Sequence, residues 1–222
     1  MPFNYNLSAE QLPSVTDNLQ PIVAPAVNRY FHTWGLDYNA GSVNGGHSIH
    51  IPINHIAFAP IKMASTVSVN QASMIVTAGN GTVDTWTYDL ALYTNNVADS
   101  YPASKIADLG TYTWQPGVTA AGAQTLTISQ QFLMNTVYWI GIGIRASGST
   151  DYSLGLTPKL HQQTGDFSMY RKRGLSSVSS GSAGMSWTQN TGTYAGTMPA
   201  TVTYSTPGST PLFPRILFRR SA

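Results

Sequence analysis

Two stretches decide the fold of this chain: Thr85-Trp-Thr-Tyr-Asp-Leu-Ala-Leu-Tyr93 and Val137-Tyr-Trp-Ile-Gly-Ile-Gly-Ile-Arg145. In each, large apolar or aromatic residues recur at every second position. They are Trp86, Tyr88, Leu90 and Leu92 in the first stretch, and Tyr138, Ile140, Ile142 and Ile144 in the second. Because successive side chains of a β-strand point to opposite faces, a period of two is typical of a strand with one buried face. Both stretches therefore predict half-buried β-strands.

The composition agrees with an all-β domain. The 222 residues are enough for one large domain that is stable without a metal or a disulfide. The chain has 11 basic and 9 acidic residues against 23 serines and 25 threonines. Exposed helices usually carry Glu and Lys, so this composition disfavours a helical bundle. The absence of cysteine excludes disulfide scaffolds, zinc–thiolate sites and thiol catalysis.

The basic residues are concentrated toward the C-terminus. Residues 1–158 carry four basic and eight acidic residues, whereas residues 159–222 carry seven basic residues and one acidic residue. A basic region can attract an anionic partner such as nucleic acid. The clusters Arg171–Arg173 and Arg219–Arg220 are short and lack interleaved aromatic residues on which bases would stack. We therefore expect a solvated surface and contacts to a neighbouring subunit, and no nucleic acid.

The chain divides into an extended, proline-containing arm, residues 1–28, and a β domain, residues 29–222. An arm of this kind cannot bury itself, so if ordered it must lie on its own domain or on another chain. Turn signals separate the predicted strands, the clearest being the hairpin signal at 78–81. The predicted strands are 28–34, 48–53, 56–60, 64–77, 82–94, 105–114, 124–129, 137–146, 200–205 and 215–220, with a weaker one near 167–173. This spacing predicts an antiparallel, jelly-roll-like β-sandwich.

Residues 174–199 interrupt this regular pattern. They are dense in Ser, Gly and Thr and predict an irregular loop or a projecting β-finger. The aromatic residues Trp187 and Tyr194 lie in this polar segment, where they suit sugar stacking and subunit packing equally well. Together with Arg171 and Arg173, they are the candidate contacts for a ligand or partner.

No catalytic or metal-binding constellation is visible. The chain contains no nucleophile elbow and no phosphate loop. Asp84 and Asp89 would face opposite sides of one strand, so they cannot form the carboxylate pair of a glycosidase. On a strand, His47 and His55 share a face and His50 points the other way, and no carboxylate lies near them in sequence. We therefore predict no enzyme activity, no metal and no cofactor.

Two glycines in the second deciding stretch are better explained by packing than by nucleotide binding. Gly141 and Gly143 share the face of Trp139, and no helix follows them as a dinucleotide fingerprint would require. We expect the missing side chains to make room for a bulky neighbour or a close backbone. The chain also begins without the pattern of a secretory signal and contains no run of roughly 18 apolar residues, so we expect no membrane partner.

The order of several strand motifs resembles a known family. The motifs are Asp89-Leu-Ala-Leu-Tyr93-Thr-Asn, Ser104-Lys-Ile-Ala-Asp-Leu-Gly110, Thr136-Val-Tyr-Trp-Ile-Gly-Ile142 and Pro214-Arg-Ile-Leu-Phe218. Over residues 45–220 the chain resembles the jelly-roll domains of tailed-phage fibre ends and phage head-surface proteins. The resemblance implies a jelly-roll fold and a place in the virion, with assembly in the host cytoplasm. It carries over no binding residue.

Two functions fit this resemblance. The first is a capsid decoration (cement) protein, and it is favoured because the chain has no long shaft and no trimerising segment. The second is a receptor-binding tail-fibre tip that recognises a host-surface glycan. Both imply a homo-oligomer, which we expect to be a trimer, bound to phage capsid or tail proteins. The candidate anchoring residues are Phe3, Tyr5 and Leu7 in the arm, with Arg219 and Arg220 at the C-terminus. A secreted carbohydrate-binding module is disfavoured because no export signal is visible.

Overall fold

The computed structural model describes residues 21–32, 48–49, 55–78, 85–96, 101–114, 122–147, 159–161, 187–190, 196–202 and 216–222. Within these ranges the chain forms eleven β-strands. They are β1 (Tyr30–His32), β2 (Ser48–Ile49), β3 (His55–Lys62), β4 (Val67–Ala78), β5 (Thr85–Asn96), β6 (Tyr101–Trp114), β7 (Gly122–Phe132), β8 (Val137–Ser147), β9 (Lys159–His161), β10 (Trp187–Asn190) and β11 (Ile216–Arg220). Among the described residues there is no helix long and apolar enough to cross a membrane.

The strands form two antiparallel sheets. The first has the order β1-β11-β4-β9-β2, with β7 also paired to β4, and the second has the order β10-β3-β8-β5-β6. Four of the pairs are nested along the chain: β1 with β11, β3 with β8, β4 with β7, and β5 with β6. The predicted all-β antiparallel sandwich is confirmed, whereas its jelly-roll topology stays a prediction.

The core between the sheets contains the faces that the two deciding stretches predicted. All eight alternating residues of β5 and β8 are buried in one cluster. The six-stranded sheet contributes three fully buried phenylalanines to it, Phe31, Phe132 and Phe218. The rings of Phe132 and Phe218 meet nearly edge to face, with centroids 5.2 Å apart and an interplanar angle of 74°. Such aromatic pairs add to the stability that burial alone provides.

A second apolar cluster lies on the outer face of the five-stranded sheet. Its members are Ile56, Phe58, Ala91, Tyr93, Trp139, Met198 and Val202. Residues 196–202, which we call the strap, cover this face. Main-chain hydrogen bonds of 2.8 Å join the strap to β6, from Lys105 N to Ala200 O and from Val202 N to Ala103 O. This part of the outer face is therefore buried by a short segment without regular structure.

The packing explanation for Gly141 is confirmed. A Cβ atom placed at Gly141 would lie 2.8 Å from Met198 Cε, 2.9 Å from Phe58 Cε1 and 3.0 Å from Tyr93 Cε2. These distances are shorter than normal van der Waals contacts, so only glycine lets the strap and the two rings pack against β8.

The strands differ from the sequence-based expectations chiefly at two places. No strand is predicted at β9, whereas β10 lies inside the segment 174–199, for which a projecting β-finger is one of the two predicted alternatives. Where a strand was predicted at 200–205, Thr201 forms only an isolated bridge to Ser104. Pro199 precedes this point, and because its backbone has no N–H it cannot extend the ladder. Residues 203–205 and the weaker strand near 167–173 lie outside the described residues.

Candidate functional site

The described part of the arm crosses one end of the sandwich and is bonded to both sheets. We call residues 21–29 the arm root. Ile22 is buried and bridges the end of β3, since its N donates to Lys62 O and its O accepts from Ala64 N, both at 2.8 Å. Toward the other sheet, Asn28 N donates to Arg220 O at 2.9 Å. Pro21 and Pro25 lack the N–H of a ladder, so the root forms single bridges and not a full strand.

Arg220 fastens the middle of the arm root. Its Nη1 donates to Pro25 O at 2.7 Å, and its Nε donates to Ala222 O at 2.9 Å. Asn28 then turns the chain into β1 with a φ of 65°, a left-handed conformation that asparagine tolerates better than most residues. The arm root is therefore held by contacts to both sheets.

An exposed apolar surface adjoins the arm root. Val23, Leu133 and Met134 are 62%, 48% and 55% exposed. Met63 forms parallel bridges to both Ile22 and Met134, which brings the root beside the turn between β7 and β8. We call these three exposed residues the root patch. Exposed apolar residues that cluster often mark a contact with another molecule.

The structure places some of the predicted site residues and not others. Arg219 is half-buried on β11, opposite Tyr30 of β1, and β11 lies between β1 and β4. Arg220 makes the contacts within the chain given above. The backbone of Trp187 begins β10 and pairs with Phe58. Phe3, Tyr5, Leu7, Arg171, Arg173 and Tyr194 lie outside the described residues. Among the residues that are described, no three His, Asp or Glu side chains form a group that could hold a metal ion.

A polar cleft that the sequence reasoning missed lies where the strap meets β5 and β6. Its volume is about 140 Å³, and its lining is Asp89, Leu90, Asp108, Gly110, Thr111, Gly196, Thr197 and Met198. Asp89 is only 6% exposed, whereas the side chain of Asp108 is 64% exposed. The β6 ladder is irregular here, because Leu90 pairs with Gly110 but Ala91 pairs with Asp108.

Each carboxylate in the cleft has a basic partner. Thr111 Oγ1 donates to Asp89 Oδ1 at 2.7 Å, and Arg145 Nε donates to Asp89 Oδ2 at 3.2 Å. Lys105 Nζ donates to Asp108 Oδ1 at 2.9 Å, to Asp108 Oδ2 at 3.1 Å, and to Met198 O at 3.0 Å. Two acids and two bases therefore leave the cleft with no formal net charge, and Lys105 ties Asp108 to the strap.

Gly196 allows the strap to pack on Arg145. Its φ is 91°, which favours glycine, and a Cβ atom there would lie 2.7 Å from Arg145 Cδ. Nearby, Tyr93 donates its hydroxyl to Pro199 O at 2.9 Å. Burial, and secondarily the charge of Asp108, raise the pKa of Tyr93 above its ordinary value. The strap is thus held by several polar contacts as well as by its apolar side chains.

The sequence carried a signal for this cleft. Alternation in β5 puts Asp89 on the face opposite to Tyr88 and Leu90, which are core residues, so it must lie on the outer face. The position of Asp108 in the same cleft could not be predicted from spacing, because the pairing of β5 with β6 shifts register between Leu90 and Ala91. Comparisons with known proteins add no assignment, since no protein-family model matches the chain and no curated protein matches its sequence.

Proposed function

We propose that the chain is a non-enzymatic structural protein of a phage virion surface, a capsid decoration (cement) protein. Residues 1–20 and the root patch attach it to the shell, and its partners are capsid proteins and further copies of itself. The observation that carries this proposal is the arm root. An attachment segment that joins its domain through a rigid root loses less conformational freedom on binding than one joined through a free linker.

The length of the arm supports attachment at a distance. Twenty residues span at most about 70 Å when extended. The longest strand, β6, has 14 residues and measures roughly 48 Å. Residues 1–20 are therefore long enough to cross from one subunit to a neighbour, as a protein that covers the seam between capsid subunits requires.

The nested strand pairing supports the virion assignment. A jelly roll, in which two Greek keys are wound into a sandwich, also contains nested antiparallel pairs divided between two sheets. This is the topology implied by the resemblance to phage head-surface and fibre domains. A fold alone does not determine function, so the arm root carries the proposal and the topology supports it.

The outer face of β7 suits a domain that faces solvent in many copies. Its exposed residues are Ala123, Thr125, Thr127, Ser129 and Gln131. Hydroxyl and amide groups keep such a strand hydrated without charge. Thr125 also bonds across the sheet, where its Oγ1 lies 2.9 Å from Ser73 Oγ. A strand of this kind offers no large apolar surface for uncontrolled association.

Truncation at the correct residue tests the proposal. A chain that begins at Pro21 keeps the root, so its stability should stay within about 0.5 kcal/mol of the full chain while binding to particles lacking the protein is lost. A chain that begins at Arg29 is the matched comparison, because it also loses the buried Ile22 and should be less stable. Saturation of particles by the Pro21 chain would overturn the proposal. A location in the tail at only a few copies per particle would favour the fibre tip instead.

A further inference from the structure

We propose that the cleft between β5, β6 and the strap binds one sugar unit of a neutral, hydroxyl-rich glycan. This site is separate from the arm root, and the proposal holds wherever in a virion the protein is located. It rests on the chemistry of the lining, on the space available and on how firmly the polar groups are held.

The polar groups of the cleft combine acceptors with donors at zero net charge. Asp108 is exposed and accepts only from Lys105 among the described contacts, so lone pairs remain on its carboxylate. The hydroxyl of Thr197 adds another exposed group. Arg145, which lies beside Gly196 of the lining, is 43% exposed at its side chain, and its described hydrogen bond uses Nε and not the Nη groups. Sugar hydroxyls both donate and accept, so they match this set.

Charged ligands fit the cleft less well. A cation would have to compete with Lys105 and Arg145 for the carboxylates that they already neutralise. An anion that approached Arg145 would lie beside Asp89 and Asp108 and be repelled by them. A neutral ligand meets neither obstacle.

The shape of the cleft sets the size of the ligand. A volume of about 140 Å³ suits a single sugar ring and is too small for an enclosed oligosaccharide. Gly110 and Gly196 contribute backbone to the lining, and the positive φ of each favours glycine at its position.

The polar groups are held in place before a ligand arrives. Lys105 bonds both Asp108 and the strap carbonyl of Met198, while Thr111 and Arg145 fix the carboxylate of Asp89. Prior ordering reduces the cost of binding. For one sugar ring in an open cleft, a Kd on the order of 1 mM is expected.

The test is a titration of the full chain followed by backbone amide chemical shifts. The probes are glucose, galactose, mannose and N-acetylglucosamine, each raised to about 50 mM so that a Kd near 1 mM is saturated. At least one probe should shift the amides of Gly110, Thr111, Gly196 and Thr197. Asp108→Asn should weaken that probe roughly tenfold, because a hydrogen bond to a charged group is lost.

Matched threonine variants complete the test. Thr197→Val removes a hydroxyl from the cleft and should weaken binding severalfold, whereas Thr127→Val removes one from the exposed face of β7 and should leave the Kd unchanged. The proposal is overturned if none of the four sugars shifts these amides, if the shifts cluster elsewhere, or if Asp108→Asn binds as well as the parent. It is also overturned if calcium chloride or sodium phosphate gives the same shifts with higher affinity than every sugar.

Discussion

Arg220 and Pro25, which lie 195 residues apart in the sequence, are joined by a hydrogen bond of 2.7 Å from the guanidinium Nη1 to the carbonyl oxygen. The last strand of the sandwich thereby holds the segment that leads into the first. The backbone N of Arg220 also donates to Arg29 O at 3.0 Å, and its backbone O accepts from Asn28 N at 2.9 Å, so one residue bonds the arm root at three points. The stability of the root therefore depends on the C-terminal end of the chain.

The replacement of Arg220 should destabilise the protein through the arm root. Arg220→Gln removes a charged donor from a part-buried carbonyl, and we expect a loss of about 2 kcal/mol, seen as a fall in Tm of roughly 4–8 °C. Arg219→Gln is the matched control, because that side chain lies on the outer face of the same strand and should change stability by no more than about 0.5 kcal/mol. Differential scanning calorimetry of both variants measures the difference. Equal Tm values would contradict this role for Arg220.

The packing of the strap depends on Gly141. Gly141→Ala should cost about 1–3 kcal/mol, since the added methyl group overlaps Met198 and two aromatic rings. Urea denaturation measures this cost. Ser129→Thr adds a methyl group at an exposed position of β7 and should be nearly neutral, which separates crowding from the simple gain of a carbon atom.

A double-mutant cycle can identify the strap as the crowded neighbour. Met198→Ala removes the atom closest to the new methyl group and should itself cost about 2–5 kcal/mol. In that background Gly141→Ala should cost less than it does alone, because only the rings remain in contact. Strictly additive costs would show that the strap does not constrain β8.

The two deciding stretches predicted β5 and β8 with the correct core faces, because period-two alternation marks the face that packs in the core. The expectation that these strands are half-buried was wrong, since Ala91, Tyr93 and Trp139 on the opposite face are buried in one cluster with the strap. On β8, Trp139 and Gly141 share the outer face, and the sequence predicted that a bulky neighbour packs against it. The cleft could not be predicted, because it depends on the shifted register that brings Asp108 near Asp89 and on the strap. Nor could the contact between Arg220 and Pro25, since nothing in either local sequence specifies a partner so far away.

Alkaline pH should destabilise the protein through two buried tyrosines. Burial raises the pKa of Tyr88 and of Tyr93 above the ordinary value of about 10. Above that pH the unfolded chain releases protons that the folded chain retains. The free energy of unfolding is therefore unaffected by these two tyrosines below pH ~10 and falls as the pH rises above it. The slope approaches about 1.4 kcal/mol per pH unit for each tyrosine. Urea denaturation between pH 9 and pH 11 measures it.

Tyr88→Phe provides the control for this pH dependence. The variant lacks one of the two groups, so the fall in stability above pH ~10 should be shallower than in the parent protein. Folded protein should also show fewer ionised tyrosines by ultraviolet absorbance than protein in urea at the same pH. An unchanged slope in Tyr88→Phe would refute the assignment of that proton to Tyr88.

The root patch should contribute to attachment through burial of apolar surface and not through charge. Met134→Ser and Val23→Ser each place a polar group where an apolar interface is expected. Together they should weaken binding to particles lacking the protein by tenfold or more, because burial of apolar surface stabilises a complex by roughly 25 cal/mol per Å². Both side chains are more than half exposed, so the fold should remain stable. Sedimentation of the variants with such particles measures the affinity.

Salt separates this mechanism from attachment by the basic C-terminal strand. Apolar burial is not screened, so binding should persist as the salt concentration rises from about 0.1 to 1 M, while the Debye length falls from about 10 to 3 Å. Attachment through Arg219 would instead weaken steeply over that range. The reason is that exposed charges farther apart than a Debye length scarcely attract each other. Because β11 lies between β1 and β4, Arg219 can meet a partner only on the outer face of that sheet. Release of the protein at high salt, together with full binding by the double serine variant, would show that the root patch takes no part in attachment.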